Sequence, residues 1–456
     1  MKKRFQKALQ DKDFAELFKK GRLSFLIRIG GQVMGFLLTL IIARFFGASG
    51  LGDYVLAIIV LRVFAMISKL GVDTTSIRVI ASFASQNKFK SIKYFRKKIV
   101  LLLIATTLFF SVIMYFNASL LASFIGANPE YIKLNSFLVL PMTFFILHYQ
   151  SLRGLKKIAE FSFFYRMSET LFTIVSILVI MQFNKDASVP IYGYVTSICI
   201  VSILTFISYN YWFKVKSKEG ENEQELDLMS LKNILAISMP LMFAQSVQFI
   251  MAWTDKLMIG NMMTSQDVGI YHIAFKLSMF ATIGLMAINS IAAPKFAELY
   301  AKQDFEGLKK VVNQSTKFIF WSTIPLIVIF FIFPEFLLGI FGDKFKIGVT
   351  AFIFLSCGRL ISSFSGSVGN LLQMTGKQVI FMNILFAGAG INVALNYLLI
   401  PSDNLFSEFG VSGINGAALA SMISLSTWNL AMVYFVKREF GFYTFYIPFI
   451  KINNEK

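Results

Sequence analysis

Eight basic residues, Arg28, Arg44, Arg62, Lys69, Arg78, Lys256, Lys276 and Arg359, interrupt long apolar stretches, and only three acids, Asp73, Glu169 and Asp255, share such surroundings. An ionised side chain at the centre of a bilayer costs roughly 2.5–3.5 kcal/mol on insertion scales, so such groups are retained for a partner or a function. Lys69 and Asp73 are four apart and Arg166 and Glu169 three apart, the spacings of local helical pairs. Arg44 and Arg78 lie near the ends of their stretches, where a long side chain reaches the interface. Arg28, Arg62, Lys276 and Arg359 have no acid three or four residues away, and Arg62 and Lys69, seven apart, share a helical face. Arg28, Arg62, Lys69, Lys276 and Arg359 are therefore expected to line a wet, positively charged cavity. The competing reading is that these cations hold backbone carbonyls or acids of other helices. Arginine presents a planar fork that grips phosphate oxygens and lysine a mobile point charge, so the cavity would favour an anion. Asp255, Asp73 and Glu169 are the acids available for coupling to a proton or sodium gradient, although Asp255 also has Lys256 or Lys276 to hold.

Other chemistry is thinly represented. His148 and His272 stand alone, Cys199 and Cys357 fall inside apolar stretches as reduced packing residues, and no phosphate loop of the GxxxxGK type occurs. Asp11-Lys-Asp13 has the spacing of a sugar-nucleotide metal site but sits in a short basic tail. No catalytic residue, metal site or bound cofactor is expected.

The elements that must position these charges are membrane helices. Hydrophobic residues make up 56% of the 456-residue chain and charged ones 15%, against about 25% charged in a soluble domain. Stretches near 23–46, 54–80, 99–117, 134–152, 161–183, 189–213, 236–260, 268–292, 317–341, 349–373, 379–400 and 411–436 are each long enough to cross a bilayer, which takes about 20 apolar residues. The weakest is 134–152, which holds Pro141, His148 and Gln150. The expected fold is thus all-α and integral to the membrane, with about twelve spans in two six-helix bundles around a central cavity. The first twenty-two residues are polar and basic, with no cleavable signal pattern; Phe5, Ala8, Leu9, Phe14, Leu17 and Phe18 outline an interfacial amphipathic helix.

The net charge of +19 is explained by its placement. Basic clusters such as Lys88, Lys90, Lys93, Arg96, Lys97 and Lys98 recur on one side of the spans, whereas the other side offers few cations beside Asp53, Glu130, Asp186, Asp267, Asp343, Asp403 and Glu408. This is the positive-inside pattern, which puts both termini in the cytoplasm and requires no nucleic acid.

The polar stretch 214–235 divides the chain. Around it the boundaries read as an N-terminal segment 1–22, a bundle 23–213, the linker, a bundle 236–436 and a basic, aromatic tail 437–456. The halves match at an offset of about 217: Gly52-Asp-Tyr54 with Gly269-Ile-Tyr271, Arg78 with Lys295, and Gln86-Asn87 with Gln303-Asp304. At a slightly longer offset Leu152-Arg-Gly-Leu-Lys156 echoes Met374-Thr-Gly-Lys-Gln378. Repeats with an even number of spans enter from the same side, an architecture suited to alternating access.

Phe46-Gly-Ala-Ser-Gly-Leu-Gly-Asp-Tyr54 and Leu70-Gly-Val-Asp-Thr-Thr-Ser-Ile-Arg78 resemble the N-terminal signature of bacterial polysaccharide biosynthesis membrane proteins. Pro240, Asp255-Lys-Leu-Met-Ile-Gly260, Val268-Gly-Ile-Tyr271 and Ala274-Phe-Lys276 resemble the matching signature in the second half. These proteins are the O-antigen and capsule lipid-linked oligosaccharide flippases of the multidrug/oligosaccharidyl-lipid/polysaccharide superfamily. The resemblance implies a non-enzymatic flippase in the bacterial cytoplasmic (inner) membrane. Its substrate would be an undecaprenyl-diphosphate-linked oligosaccharide, moved to the periplasmic or outer leaflet, with membrane lipids and the polysaccharide polymerase machinery as partners. A cation-coupled multidrug antiporter of the same superfamily is the alternative, but it would carry acids in its first two spans, where this chain has Arg28 and a majority of cations. A membrane polymerase would carry larger outside loops.

Overall fold

The structure is a computed structural model that describes residues 12–217, 229–404, 406–446 and 448. The linker residues 218–228, the amphipathic positions Phe5, Ala8 and Leu9, and Asp11 lie outside the described residues. The fold is helical, with no strand among the described residues.

In chain order the helices are α1 Lys12–Ser68, α2 Val72–Ser85, α3 Phe89–Phe116, α4 Ala118–Ile125, α5 Pro129–Ser136, α6 Val139–Gly154 and α7 Ile158–Phe163. A π-helical turn, Phe164–Ser168, joins α7 to α8 Glu169–Ile180, and α9 Val189–Ser217 follows. Beyond the linker come α10 Leu231–Met262, α11 Ser265–Ser278, α12 Ile283–Ala301, α13 Phe305–Ile332, α14 Pro334–Gly339, α15 Val349–Ser365, α16 Val368–Met374, α17 Gln378–Leu399 and α18 Gly413–Phe440. Nine helical stretches among the described residues are long and apolar enough to cross a membrane, or ten if α5 and α6, bent by 53°, count as one. The bend falls in the stretch that Pro141 had marked as the weakest. The first of the nine, Leu26–Ser68, runs 43 residues, about twice what one crossing needs. It consists of two helices that meet at a non-helical kink at Gly47 (φ 70, ψ −171), which is where the boundary after the first expected span, 23–46, falls.

The helices present apolar surface outward. Phe109 is 61% and Phe116 79% exposed, values that suit a lipid solvent far better than water. Hydroxyls within the helices donate to carbonyls one turn back, as in Ser76→Val72 (2.7 Å), Thr205→Val201 (2.7 Å) and Ser356→Phe352 (2.7 Å). Such bonds satisfy these donors in an apolar medium, whereas the buried hydroxyls of Thr143 and Tyr209 have no partner.

The chain divides into two compact units. Unit 1 comprises Met1–Phe46 and Leu56–Ser246, unit 2 Gly47–Val55 and Val247–Lys456. In unit 1 the fully buried Asn135 donates to the Ala57 carbonyl (3.0 Å), and Thr106 donates to the Ser68 carbonyl (2.8 Å). In unit 2 a core around Phe296, Leu308, Val312, Leu371, Leu372 and Val436 is completed by Phe442 of the tail. The tail is fixed by Thr444 donating to Ser365 (3.0 Å) and by the Tyr446 N–H donating to Phe364 (3.0 Å).

The sequence repeat has structural counterparts. Asn87 and Gln303 both adopt φ 57, one residue out of the sequence match that pairs Asn87 with Asp304, and each closes the same turn before a 28-residue helix that begins with phenylalanine. The echo near residue 156 recurs two residues earlier than the sequence match suggests. Lys156 (φ 60) corresponds to Gly376 (φ 78), and the next N–H bonds the carbonyl of Leu152 in one case and Leu372 in the other. Within unit 2 the matched glycines meet each other. A Cβ on Gly52 would lie 1.6 Å from the Ser265 carbonyl oxygen and 3.2 Å from the Gly269 nitrogen. A Cβ on Gly269 would lie 2.0 Å from the Ala48 oxygen and 3.2 Å from the Gly52 nitrogen. The contact is reciprocal, as a local two-fold axis demands.

Candidate functional site

In unit 1 two of the singled-out cations, Lys69 and Arg62, are held by carboxylates. Lys69 ends the apolar run of α1 and Asp73 opens α2, with Leu70 and Gly71 turning the chain between them at φ 49 and 72. The Lys69 Nζ donates to Asp73 Oδ2 (2.8 Å) and to Gln245 Oε1 (2.8 Å), and Gln245 donates onward to Thr74 (2.6 Å). Lys69 is 9% and Asp73 2% exposed, so this is a buried pair, and Asp73 Oδ1 has no donor.

Seven residues earlier on α1, Arg62 Nη2 donates to Glu169 Oε1 at 2.5 Å; both side chains are partly exposed, at 34% and 24%. The local Arg166–Glu169 pair expected from the spacing does not form. The π turn, closed by i→i+5 bonds, separates the two, and a spacing of three no longer places them on one face. Arg166 instead lies over the Tyr165 ring, 4.4 Å from its centroid. Arg28 is half-exposed and makes no hydrogen bond or ion pair with any described residue.

Unit 2 handles its charges differently. Asp255, 6% exposed on α10, accepts from Tyr271 (2.5 Å) and Ser421 (2.5 Å) at Oδ2 and from Asn396 (2.8 Å) at Oδ1. All three donors are neutral. Asp255 thus holds neither Lys256 nor Lys276, although its neighbour Lys256 is 2% exposed. The Lys256 ammonium donates to the Ala252 carbonyl (3.3 Å) and sits 4.0 Å from the Phe275 ring centroid and 4.9 Å from that of Trp253. Arg359 on α15 lies over the same Phe275 ring at 5.5 Å, and its Nε is buried without an acceptor. No described residue makes a hydrogen bond or a direct ion pair with Arg359, although the Asp255 carboxylate is near enough to act on its charge. Its side chain lines a cavity of about 320 Å³ whose walls include Phe275, Met279, Asn392, Ser421 and Trp428. Lys276 lies half-buried in the last turn of α11.

Of the residues singled out from the sequence, Arg62, Lys69, Asp73 and Glu169 come together in unit 1 as two ion pairs. Asp255 and Arg359 share the cavity region of unit 2, where Ser421 both lines the cavity and donates to Asp255. The sequence reading missed Tyr271, Phe275, Asn392, Asn396, Ser421 and Gln245. Asn392 and Asn396 carried a usable signal, since two amides one turn apart in an otherwise apolar helix need a shared polar partner. Cys199 and Cys357 are free, His148 is packed against the Phe206 and Tyr209 rings, and no cluster of three metal-binding side chains occurs among the described residues.

Comparison with known proteins gives this geometry a context. The sequence profile of the family described as "Polysaccharide biosynthesis protein" matches residues 41–349. The probable low-salt glycan biosynthesis flippase Agl15 of Haloferax volcanii is 24% identical over 176 residues, which is 38% of this chain and 35% of that protein. The curated relatives the chain matches are covered over only 51% and 35% of their own length. Among solved structures, an inward-facing multidrug resistance MATE family transporter of the MOP superfamily superposes with a TM-score of 0.71 at 14% identity, covering 92% of this chain and 97% of that one. The lipid II flippase MurJ, in an inward closed conformation, gives 0.68 at 14% identity over 91% and 87%. At such identities the two superpositions establish the fold alone.

Proposed function

Because the chain belongs to the polysaccharide biosynthesis protein family, a group of multi-pass membrane transporters, we propose that it flips a lipid-linked oligosaccharide from one leaflet to the other by alternating access. The observation that carries this reading is Arg359: a guanidinium on a cavity wall whose buried Nε has no hydrogen-bond acceptor and which makes no direct ion pair among the described residues, Asp255 acting on it only from beyond contact. A buried unpaired cation is costly, and a diphosphate would supply the missing acceptors in a bidentate, charge-assisted way. A transporter of cationic drugs would gain nothing from it.

In this proposal the substrate is an undecaprenyl-diphosphate-linked repeat unit of O-antigen or capsule. It moves from the cytoplasmic to the periplasmic or outer leaflet of the bacterial cytoplasmic membrane, with both termini in the cytoplasm. Arg28 and Arg62 in unit 1 and Lys276 and Arg359 in unit 2 are the cations assigned to the substrate, while Lys69, expected among them, is buried against Asp73. Asp255 is the acid for coupling to a proton or sodium gradient, because Ser421 and Asn392 join its hydrogen-bonded shell to the cavity wall, and occupation of one is felt at the other. Asp73 and Glu169 are the corresponding acids of unit 1. The chain performs no covalent chemistry, and its association with a polymerase belongs to the same proposal.

Complementation of a flippase-deficient strain tests the reading. Arg359→Ala should abolish surface polysaccharide at unchanged membrane abundance, and Arg359→Lys should retain part of it. Normal surface polysaccharide in Arg359→Ala, or efflux of a cationic dye that requires Asp255, would overturn the proposal.

A further inference from the structure

We infer that Glu169 is a stand-in anion: it occupies Arg62 while no substrate is bound and yields the guanidinium to a phosphate oxygen of the incoming lipid diphosphate. The inference rests on the proposed substrate class and deepens it.

Three observations in unit 1 converge on Glu169. The first is the pair itself. A fork donor and a carboxylate oxygen 2.5 Å apart form the contact a phosphate oxygen would make with the same fork, and both side chains remain partly exposed, at 34% and 24%. Lys69–Asp73 is the contrasting case, a pair with side chains only 11% and 3% exposed, where a ligand would have no access.

The second observation is the π turn Phe164–Ser168, which ends at the residue before Glu169. A π turn carries one residue more than the α-helix around it, and moving that extra residue along the helix rotates the side chains it passes by about 100°. Glu169 is the first side chain on the C-terminal side. Its own carbonyl accepts from Ser197 (2.8 Å) and Thr173 (2.7 Å), so the backbone at this point is bonded to hydroxyls that tolerate a change of register. Rotation of Glu169 off Arg62 would thus exchange hydrogen bonds at this one turn, the two hydroxyl contacts included.

The third observation links this turn to α1. A Cβ on Gly31 would fall 2.3 Å from the Arg166 carbonyl oxygen, so backbone packs directly on backbone within the π turn. Arg28 lies one turn before Gly31 on the same face. A diphosphate that engages Arg28 bears on the helix that touches the turn, and the turn carries the carboxylate that must leave Arg62. A permanent structural partner needs none of this apparatus.

The sign of one substitution decides the matter. In the full-length protein in nanodiscs of phosphatidylcholine, farnesyl diphosphate is the probe and its affinity the readout. Emptying the stand-in with Glu169→Gln should tighten binding on the order of tenfold, the size of one charge-assisted hydrogen bond, and the gain should vanish in Arg62→Gln/Glu169→Gln. The same variant should translocate more slowly, since bound diphosphate has lost its competitor at release. If Glu169→Gln disturbs folding, Glu169→Asp, one methylene shorter, should tighten binding in the same direction but less. Affinity unchanged or weakened in a folded Glu169→Gln or Glu169→Asp makes the glutamate a structural counter-ion and overturns the inference. If the wild type and the Arg359→Ala variant alike ignore the diphosphate, the substrate class itself falls and takes this inference with it.

Discussion

Unit 1 and unit 2 solve the same electrostatic problem in opposite ways. In unit 1 the cations Lys69 and Arg62 sit against carboxylates, 2.8 and 2.5 Å away. In unit 2 Lys256 and Arg359 sit against the ring of Phe275, while Asp255 is held by three neutral donors. Aromatic faces attract a cation without cancelling its charge. At these two sites unit 1 thus keeps its cations neutralised until something displaces an acid, whereas unit 2 keeps a standing positive charge at its cavity. The first arrangement is suited to exchange, the second to capture.

That contrast can be broken most sharply at Asp73. Asp73→Ala leaves Lys69 buried without its acid and should destabilise the protein by about 3–5 kcal/mol, read as a fall in thermal unfolding temperature in detergent. Lys69→Met/Asp73→Leu should recover most of that loss, because it removes both charges together. In unit 2 the larger effect is expected at the acid's donors. Tyr271→Phe removes one of three hydrogen bonds to a carboxylate and should cost about 1.5–3 kcal/mol, accompanied by a changed dependence of transport on the ion gradient. Gly52→Ala and Gly269→Ala should each cost about 1–3 kcal/mol and by similar amounts, because their contacts are reciprocal; markedly unequal losses would refute the local two-fold relation. The smallest effect belongs to Lys256→Met, below about 2 kcal/mol, the scale of a desolvated cation–π contact, since no carboxylate is orphaned by it. A loss as large as that of Asp73→Ala would erase the distinction between the units.

Much of this was legible in the sequence, for a physical reason. A charge in an apolar stretch stands out against its neighbours, and so all the residues of both ion pairs and both Asp255 and Arg359 could be singled out. The partners were partly legible. Lys69–Asp73 pairs as its spacing of four suggests, although across the turn at Leu70 and Gly71 and not along one helix, while Arg62–Glu169 joins residues 107 apart and is invisible to any local rule. The Arg166–Glu169 expectation failed because a π turn leaves no compositional mark: Phe164-Tyr-Arg-Met-Ser168 reads like any helical segment. The shell of Asp255 draws on α11, α17 and α18, and only the paired asparagines of α17 hinted at it. The Gly-Ala-Ser-Gly run did mark the break between two helices at Gly47, whereas the second expected span, 54–80, runs through the turn at Leu70 and Gly71, which breaks the helix after Ser68.

The kink at Gly47 has a bearing on how this chain could be taken apart. Gly47–Val55 is encoded in the first half but belongs to unit 2, so the chain passes between the units three times rather than once. A cut in the linker would not separate two self-sufficient pieces. Produced alone, residues 229–456 would lack the strip of α1 on which Gly269 closes and would be expected to fold poorly. Supplied with the first half as a separate chain they should recover, and a short peptide covering 47–55 is the minimal supplement worth trying. The half-gene and the half-structure are not the same object, and whatever duplication produced the repeat, its two products now fold as an exchange of parts.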